Sequence, residues 1–223
     1  MDRNFRQDRF ASGNPTNGYA KRTCSRDFSM TKMTAALIWF AGLIGWYVIR
    51  HPFARKAKKI GVSKSLFDYR DLILLAVASL GLFVTPALYT LTGFPASLDR
   101  PFIAAIAWLG LVPLCVSLWL FRRSHVDLGD NWSISLQVRK HHTLVKTGVY
   151  RLIRHPMYSS FFLLGLSQML LLPNWLAGAS GLIGVALLFV FRVRREEHMM
   201  LQTIGDEYRA YMASTKRLIP WVL

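Results

Sequence analysis

The longest uncharged stretch of the sequence runs for 36 residues, from Pro156 to Phe191. A single helix of that length would extend about 54 Å at 1.5 Å per residue, well beyond a hydrocarbon core of about 30 Å. Pro173 and Asn174 lie near the middle, and proline interrupts a helix because it lacks an N–H donor. We therefore predict two helices of roughly 17 residues that turn at Pro-Asn and cross a membrane twice. Trp175 suits the membrane interface at this turn.

Three further uncharged runs precede this stretch, and 52% of all residues are hydrophobic. Each run can form one membrane crossing, and the second and third are separated only by Asp99 and Arg100, which indicates a helical hairpin. The fold class is therefore predicted to be an all-α, polytopic membrane protein with about five transmembrane helices. The three runs are Met33–Ile49, Leu72–Leu98 and Pro101–Phe121.

The net charge of +16 is concentrated between the apolar runs. Lysine and arginine residues at the ends of hydrophobic spans favour interaction with a membrane surface over nucleic-acid binding. Residues 50–70, 122–154 and 192–223 are strongly basic, whereas the turns at 99–100 and 173–175 hold one basic residue between them. The positive-inside rule places the basic segments, including the C-terminus, in the cytoplasm.

The first 32 residues are polar and basic, with no apolar periodicity. They are interpreted either as a disordered leader or as upstream sequence absent from the natural protein. Five crossings and a cytoplasmic C-terminus would put their seven bases outside, unless the leader is not native or the first segment does not cross. The chain is divided into this leader (1–32), three N-terminal transmembrane helices (33–127) and a C-terminal core (128–223).

Two polar clusters lie at the cytoplasmic ends of the last two predicted helices. The first contains Arg154, His155 and Pro156, and proline suits the first turn of a helix whose free N–H groups can bind an anion. The second contains Arg192, Glu196 and Glu197, in which residues 192 and 196 share a helix face. Taken alone, the first cluster also fits a positive-inside anchor, and the second also fits a solvated ion-pair cluster at the end of a transmembrane helix. A paired carboxylate at the membrane edge could also bind a cationic group.

Taken together, the two clusters resemble a family signature. The order RHPMY, then a helical hairpin, then Glu-Glu is similar to the isoprenylcysteine carboxyl methyltransferase and phospholipid methyltransferase group of integral membrane enzymes. The lead-in HTLVKTGVYRLIRHPMY and the tail IGDEYRAYMASTKRLIP carry the same resemblance, which extends from about Leu128 to Pro220. The chain departs from the family at Ser159-Ser160, where a glycine is common.

The resemblance implies that S-adenosylmethionine binds in a pocket at the cytoplasmic ends of the last helices. Glu196 would contact the cofactor's ammonium group, with Glu197 beside it, and no metal is implied. The resemblance suggests the following cofactor-binding residues, with a loose alignment at the first: Gln137, His142, Thr143, Leu144, Val145, Tyr150, His155, Pro156, Met157, Tyr158, Glu196 and Glu197.

The catalytic residues implied by the resemblance are Arg192, as an acceptor-contacting arginine, and His155. A carboxylate acceptor needs no general base and could be oriented bidentately by Arg192. An amine or thiol acceptor would have to lose a proton, for which His155 or a glutamate is a candidate. The expected acceptor is a lipophilic small molecule or a lipid-linked group that reaches the site from the surrounding membrane lipids.

Two other classes of function fit the sequence less well. A transporter or scaffold would be expected to place polar residues or broken helices at mid-membrane, and the predicted spans contain few. A membrane metal-dependent oxidase needs clustered histidines, and only His141 and His142 are adjacent. The favoured expectation is a methyltransferase of a bacterial inner (cytoplasmic) membrane, with its C-terminus and active site in the cytoplasm.

Overall fold

The computed structural model describes residues 30–57, 62–65, 68–132, 137–139 and 143–220. Helices dominate these ranges, as the apolar runs predict. The principal elements, in chain order, are α1 (Lys32–Ala57), β1 (Val62–Ser65), α2 (Tyr69–Ser79), a π-helical turn (Leu80–Val84), α3 (Thr85–Thr92), α4 (Ala104–Leu128), β2 (Gln137–Arg139), α5 (Pro156–Leu171), α6 (Trp175–Ile204) and α7 (Asp206–Ser214).

Within the described residues, four helices are long and apolar enough to cross a membrane. One of them is the continuous segment of α2, the π-helical turn and α3, which spans Tyr69–Thr92. Helix α5 is shorter, at 16 residues, but equally apolar, and it forms a hairpin with α6 through the Pro-Asn turn. The chain is an integral membrane protein with an all-α membrane region, and the predicted number of apolar helices is confirmed.

Several helices end at other residues than the apolar runs predict, mostly because they continue into the basic segments. Helix α1 continues eight residues past Ile49 to Ala57, so Arg50 is helical and does not begin a loop. Helix α4 begins at Ala104 and continues to Leu128, and α6 extends to Ile204. Hydropathy indicates where a helix leaves the membrane. The helix itself continues into water until its backbone hydrogen bonds are interrupted.

At the end of the helices opposite the basic loops, the turn before α4 is hydrogen-bonded to the α5–α6 turn. The Asn174 amide donates to the carbonyl of Pro95 at 2.8 Å and to the Asp99 carboxylate at 2.9 Å. The Arg100 guanidinium donates to the carbonyls of Met169 and Leu172 at the end of α5. These bonds bring the turn before α4 against the α5–α6 turn, so both hairpins are fixed at this end.

A buried polar contact links three helices within the apolar region. The Gln168 amide donates to the carbonyl of Gly81 at 3.0 Å and to that of Ala177 at 2.6 Å. Ser180 also donates to the Gly81 carbonyl, at 2.9 Å. Gly81 lies in the π-helical turn, where the regular helical hydrogen bonding is interrupted. The side chains of α5 and α6 therefore supply donors that the lipid cannot provide.

Replacement of Gly81 by alanine is expected to lower the thermal stability of the purified protein strongly. A Cβ at this position would lie 2.2 Å from the Ser180 carbonyl oxygen, so the backbones of two helices would have to separate. Overpacking of this kind costs about 1–3 kcal/mol or more. Gly45→Ala is the matched control, since its Cβ would meet Leu118 at an ordinary 3.4 Å. Equal melting temperatures for the two variants in detergent would contradict this expectation.

A short antiparallel pair of strands joins the two basic loops. The sequence did not predict these strands. Residues Val62–Ser65 of the first loop pair with Gln137–Arg139 of the second. Strands of three or four residues carry too little hydrophobic alternation to be recognised in a basic loop. The pairing brings the segment that follows α1 close to the segment that follows α4.

Candidate active site

A cavity of about 350 Å³ lies among the ends of the helices that carry the basic clusters. Most of the residues implied by the family resemblance line this cavity, although they come from several separate segments. They are Thr143, Leu144, Val145, Tyr150, His155, Pro156, Met157, Tyr158, Arg192 and Glu196. The structure thus brings together the RHPMY segment and the end of α6, as the hairpin arrangement predicts.

His155 lies at the start of α5, between the two glutamates. It precedes Pro156, which occupies the first turn of the helix as the sequence suggests. Its Nε2 lies 3.4 Å from Glu197, and its Nδ1 lies 3.7 Å from Glu196. Its ring also lies edge-on to Tyr158, with 5.8 Å between centroids. The imidazole therefore connects a carboxylate on the cavity wall with one behind it.

Arg192 and Glu196 form the charged pair of the cavity wall, one turn apart on α6. The Arg192 Nε lies 3.1 Å from the Glu196 carboxylate, within ion-pair distance. Its N–H is not directed at that oxygen, so this buried Nε lacks a hydrogen-bond acceptor among the described residues. Only 8% of the Arg192 side chain is exposed. Buried polar groups are usually satisfied, so this arginine is suited to a ligand that supplies an acceptor.

Glu197 has a different environment, although it is the next residue in the sequence. It is absent from the cavity wall and lies 5% exposed among cationic side chains. Arg154 donates to its carboxylate at 3.1 Å, and Arg217 donates through two nitrogens, the shorter contact being 2.6 Å. The bond to Glu197 raises the pKa of the Arg217 guanidinium. The carboxylate of Glu197 thus accepts from Arg154 and Arg217, and its contact with the cofactor stays a prediction.

The C-terminal tail covers the RHPMY segment. The backbone N–H groups of Arg154 and His155 donate to the carbonyls of Lys216 and Arg217, at 2.7 and 3.0 Å. Ser159, where the family often has glycine, donates to the carbonyl of Leu218 at 2.7 Å. Sequence similarity suggested that the tail belongs to the core, but not that it pairs with the start of α5.

Helix α7 holds a second part of the tail against the cavity. The hydroxyl of Tyr211 donates to the carbonyl of Tyr150 at 2.5 Å. Burial raises the pKa of Tyr211 to about 12, so its hydroxyl remains a donor at physiological pH. Arg154 also donates to the carbonyls of Met212 and Thr215. Tyr208 and Tyr211 line the cavity, and neither was singled out from the sequence.

The lead-in loop forms another part of the wall. The backbone N–H of Thr143 donates to the Asn131 side chain at 3.1 Å, and Asn131 donates back to the Thr143 hydroxyl at 3.2 Å. This reciprocal pair fixes residues 143–145 against the end of α4. Of the remaining predicted residues, His142 and the side chain of Gln137 lie outside the described residues.

The N-terminal part of the chain also contributes to the wall, which the sequence did not indicate. Arg50 of α1, Leu75 of α2 and Trp132 after α4 all line the cavity. Arg50 was assigned to a basic loop by its charge alone. Only the packing of α1 against α4 places its side chain beside the residues of the C-terminal core.

The order of these wall segments agrees with a comparison against known families. Residues 108–202 match the model of the isoprenylcysteine carboxyl methyltransferase (ICMT) family. Over these residues the chain is similar to this family. The matched part of the chain runs through α4, the lead-in loop, α5 and most of α6, and so contains both clusters of the cavity wall.

Curated relatives extend the similarity over about half of the chain. Protein-S-isoprenylcysteine O-methyltransferase B of Arabidopsis thaliana is 28% identical over 119 residues, 52% of this chain and 60% of the plant protein. The Schizosaccharomyces pombe enzyme is 28% identical over 131 residues, covering 58% of this chain and 56% of its own length. The Homo sapiens enzyme is 28% identical over 127 residues, covering 55% and 45%.

The alignments therefore span about half to three fifths of the length of these relatives. A solved structure of the eukaryotic intramembrane Ras methyltransferase ICMT aligns with 86% of this chain and 65% of that chain. Its TM-score is 0.49 at 21% identity.

Proposed function

We propose that this protein is an S-adenosylmethionine-dependent integral membrane methyltransferase. It transfers a methyl group to a lipophilic or amphiphilic acceptor at the cytoplasmic face of its membrane. The observation that carries the proposal is the cavity itself, which combines the Arg192–Glu196 pair with apolar walls from the membrane helices. The basic loops and the basic tail on this side support the cytoplasmic orientation. A bacterial inner membrane remains the expected location.

The residues present fit the methyl donor. Glu196 offers a carboxylate on the cavity wall for an ammonium group. The N-terminus of α5 at Pro156 adds free N–H groups that favour a carboxylate. The buried ring of Tyr158 gives an aromatic surface on which a cationic centre is stabilised. S-adenosylmethionine, when bound, supplies the activated methyl group.

The protein's contribution to the chemistry is then mainly positioning. Arg192 orients an acceptor carboxylate within reach of the methyl carbon, at about 3–3.5 Å, and the buried site excludes competing water. A carboxylate oxygen is already a nucleophile, so no residue has to remove a proton. This outcome is consistent with the geometry, because His155 is held between two glutamates and is already engaged on both sides.

The acceptor is proposed by analogy with the relatives and by the shape of the wall. The curated relatives are named as O-methyltransferases of S-isoprenylcysteine in proteins. In this chain Leu75, Phe161 and Leu188 contribute apolar wall from three different membrane helices. A prenylated or similarly lipophilic carboxylate would therefore place its hydrocarbon part against these residues. We propose this class of acceptor, with methylation on oxygen.

Titration calorimetry with S-adenosylmethionine and its demethylated product tests the proposal on the detergent-purified or lipid-reconstituted protein. We expect saturable binding, and at least about a tenfold loss of affinity in Glu196→Gln, because the amide cannot pair with the ammonium group. Glu207→Gln is the control, since Glu207 is exposed on α7 and pairs with Lys146 at the surface. Absence of binding in both detergent and lipid would overturn the proposed function.

A further inference from the structure

Arg50 is a cation of the cavity wall that the family match does not include. It lies near the end of α1, outside the matched residues 108–202. Its guanidinium carbon lies 5.4 Å from the ring centroid of Trp46 and 5.5 Å from that of Trp132. Two indole rings therefore hold the charge by cation–π contact at the side of the cavity.

Among the described residues, no carboxylate pairs with this charge. In the described part of the chain, Arg154 pairs with Glu197 and Arg192 lies beside Glu196, whereas Arg50 has no ion pair or hydrogen bond. A partly buried cation without an anion is unfavourable because the surrounding dielectric is low. Retaining such a group in a cavity wall is consistent with an anionic ligand that completes the pair.

The methyl donor cannot supply this anion if the proposed function holds. Its ammonium and carboxylate groups share one carbon, so a donor whose ammonium contacts Glu196 keeps its carboxylate close to Glu196. Glu196 belongs to α6 and lies near His155 and Arg192. Arg50 is held instead by residues of α1 and by Trp132 after α4, and α1 packs mainly on α4. The adenosine part of the donor carries no negative charge.

We propose that Arg50 selects a negatively charged acceptor by attracting the carboxylate that Arg192 then orients for methylation. The inference rests on the proposed function and specifies its acceptor chemistry. In the transfer a carboxylate oxygen forms a bond to the methyl carbon while the carbon–sulfur bond breaks, and its electron pair stays on sulfur. The acceptor leaves as a neutral ester. The attraction of Arg50 is then lost, which favours return of the product to the lipid.

The test compares two probes that differ only in this charge, N-acetyl-S-farnesylcysteine and its methyl ester. Dissociation constants are measured for the wild type, Arg50→Ala, Arg50→Met and Arg55→Ala. We expect the wild type to bind the acid at least about tenfold more tightly than the ester, as for a hydrogen bond to a charged group. Both Arg50 variants should bring this ratio below about threefold, with unchanged affinity for the ester. Arg55, exposed on the same helix, is the control.

Affinity for S-adenosylmethionine is measured on the same samples. It should be unchanged in the Arg50 variants, and a loss confined to the donor would show that Arg50 binds the donor, which overturns the inference. An unchanged acid-to-ester ratio, or no preference for the acid in the wild type, would also overturn it. The methionine variant fills the space between the indoles if alanine prevents folding. Failure of the wild type to bind the donor, with the acid preference intact, would reject the proposed function separately.

Discussion

Arg192→Ala is expected to lower kcat/KM for methyl transfer by about 100-fold or more. The side chain is buried, lies 3.1 Å from Glu196 and carries a nitrogen that lacks an acceptor among the described residues. A donor aimed at the reacting group in a water-poor site contributes about 3–4 kcal/mol to transition-state stabilisation. Its removal also leaves Glu196 without its neighbouring cation. Transfer of labelled methyl groups to the farnesylated probe gives the measurement.

Arg194→Ala is the matched control, because Arg194 lies two residues away on the same helix and is exposed. It should retain the wild-type rate. Arg192→Lys keeps the positive charge but not the planar set of donors, so we expect it to recover only part of the activity. If Arg192→Ala retained full kcat/KM while remaining folded, Arg192 would have no role in orienting the acceptor.

Glu197→Ala is expected to destabilise the protein more than any other single carboxylate change at the site. Glu197 accepts from Arg154, His155 and Arg217, and Arg154 is 9% exposed. Removing one partner of a buried ion pair typically costs about 3–5 kcal/mol, because the remaining charge stays buried. We expect a large fall in melting temperature in detergent and release of the tail from the start of α5.

Asp206→Ala provides the comparison for this variant. Its carboxylate pairs with Arg209 but is 93% exposed, so its loss should change stability little. Release of the tail is measured by limited proteolysis beyond Ser214, with the wild type as reference. A Glu197→Ala protein that melts like the wild type and keeps a protected tail would show that Glu197 does not hold this structure together.

The position of Arg192 on the cavity wall could be predicted from the sequence, whereas that of Glu197 could not. The apolar runs predicted the helical class and the apolar helices, because the cost of unsatisfied backbone groups in lipid leaves few alternatives. The Pro-Asn break located the hairpin. The same hairpin required that RHPMY and Arg192 meet, and both are found on one cavity wall.

The sequence also indicated most of the residues around the site, through ordered motifs at fixed distances along the chain. Thr143 to Val145, Tyr150 and the RHPMY segment line the cavity as expected. The helix ends were less accurate, since charge marks the membrane boundary and not the last helical residue. Arg50 was therefore placed in a loop, although it belongs to α1.

Only the tertiary structure distinguished Glu196 from Glu197. Adjacent helical residues point about 100° apart, so one carboxylate faces the cavity and the other faces the tail. Which of the two does so depends on the rotation of α6 against α5, and this is set by side-chain packing across the interface. Glu197 is held by Arg217, which lies in the tail after α7. No local sequence pattern predicts where this tail packs.

The same reason applies to Arg50. Its charge, its two tryptophans and its helix are all visible in the sequence, but Trp46 and Trp132 are 86 residues apart. Their meeting depends on α1 packing against α4, which is governed by shape and not by periodicity. The sequence by itself thus predicted a membrane protein with about five apolar helices and motifs similar to those of a methyltransferase family. The packing of its helices decided which charged side chains line the cavity and which form ion pairs with the C-terminal tail.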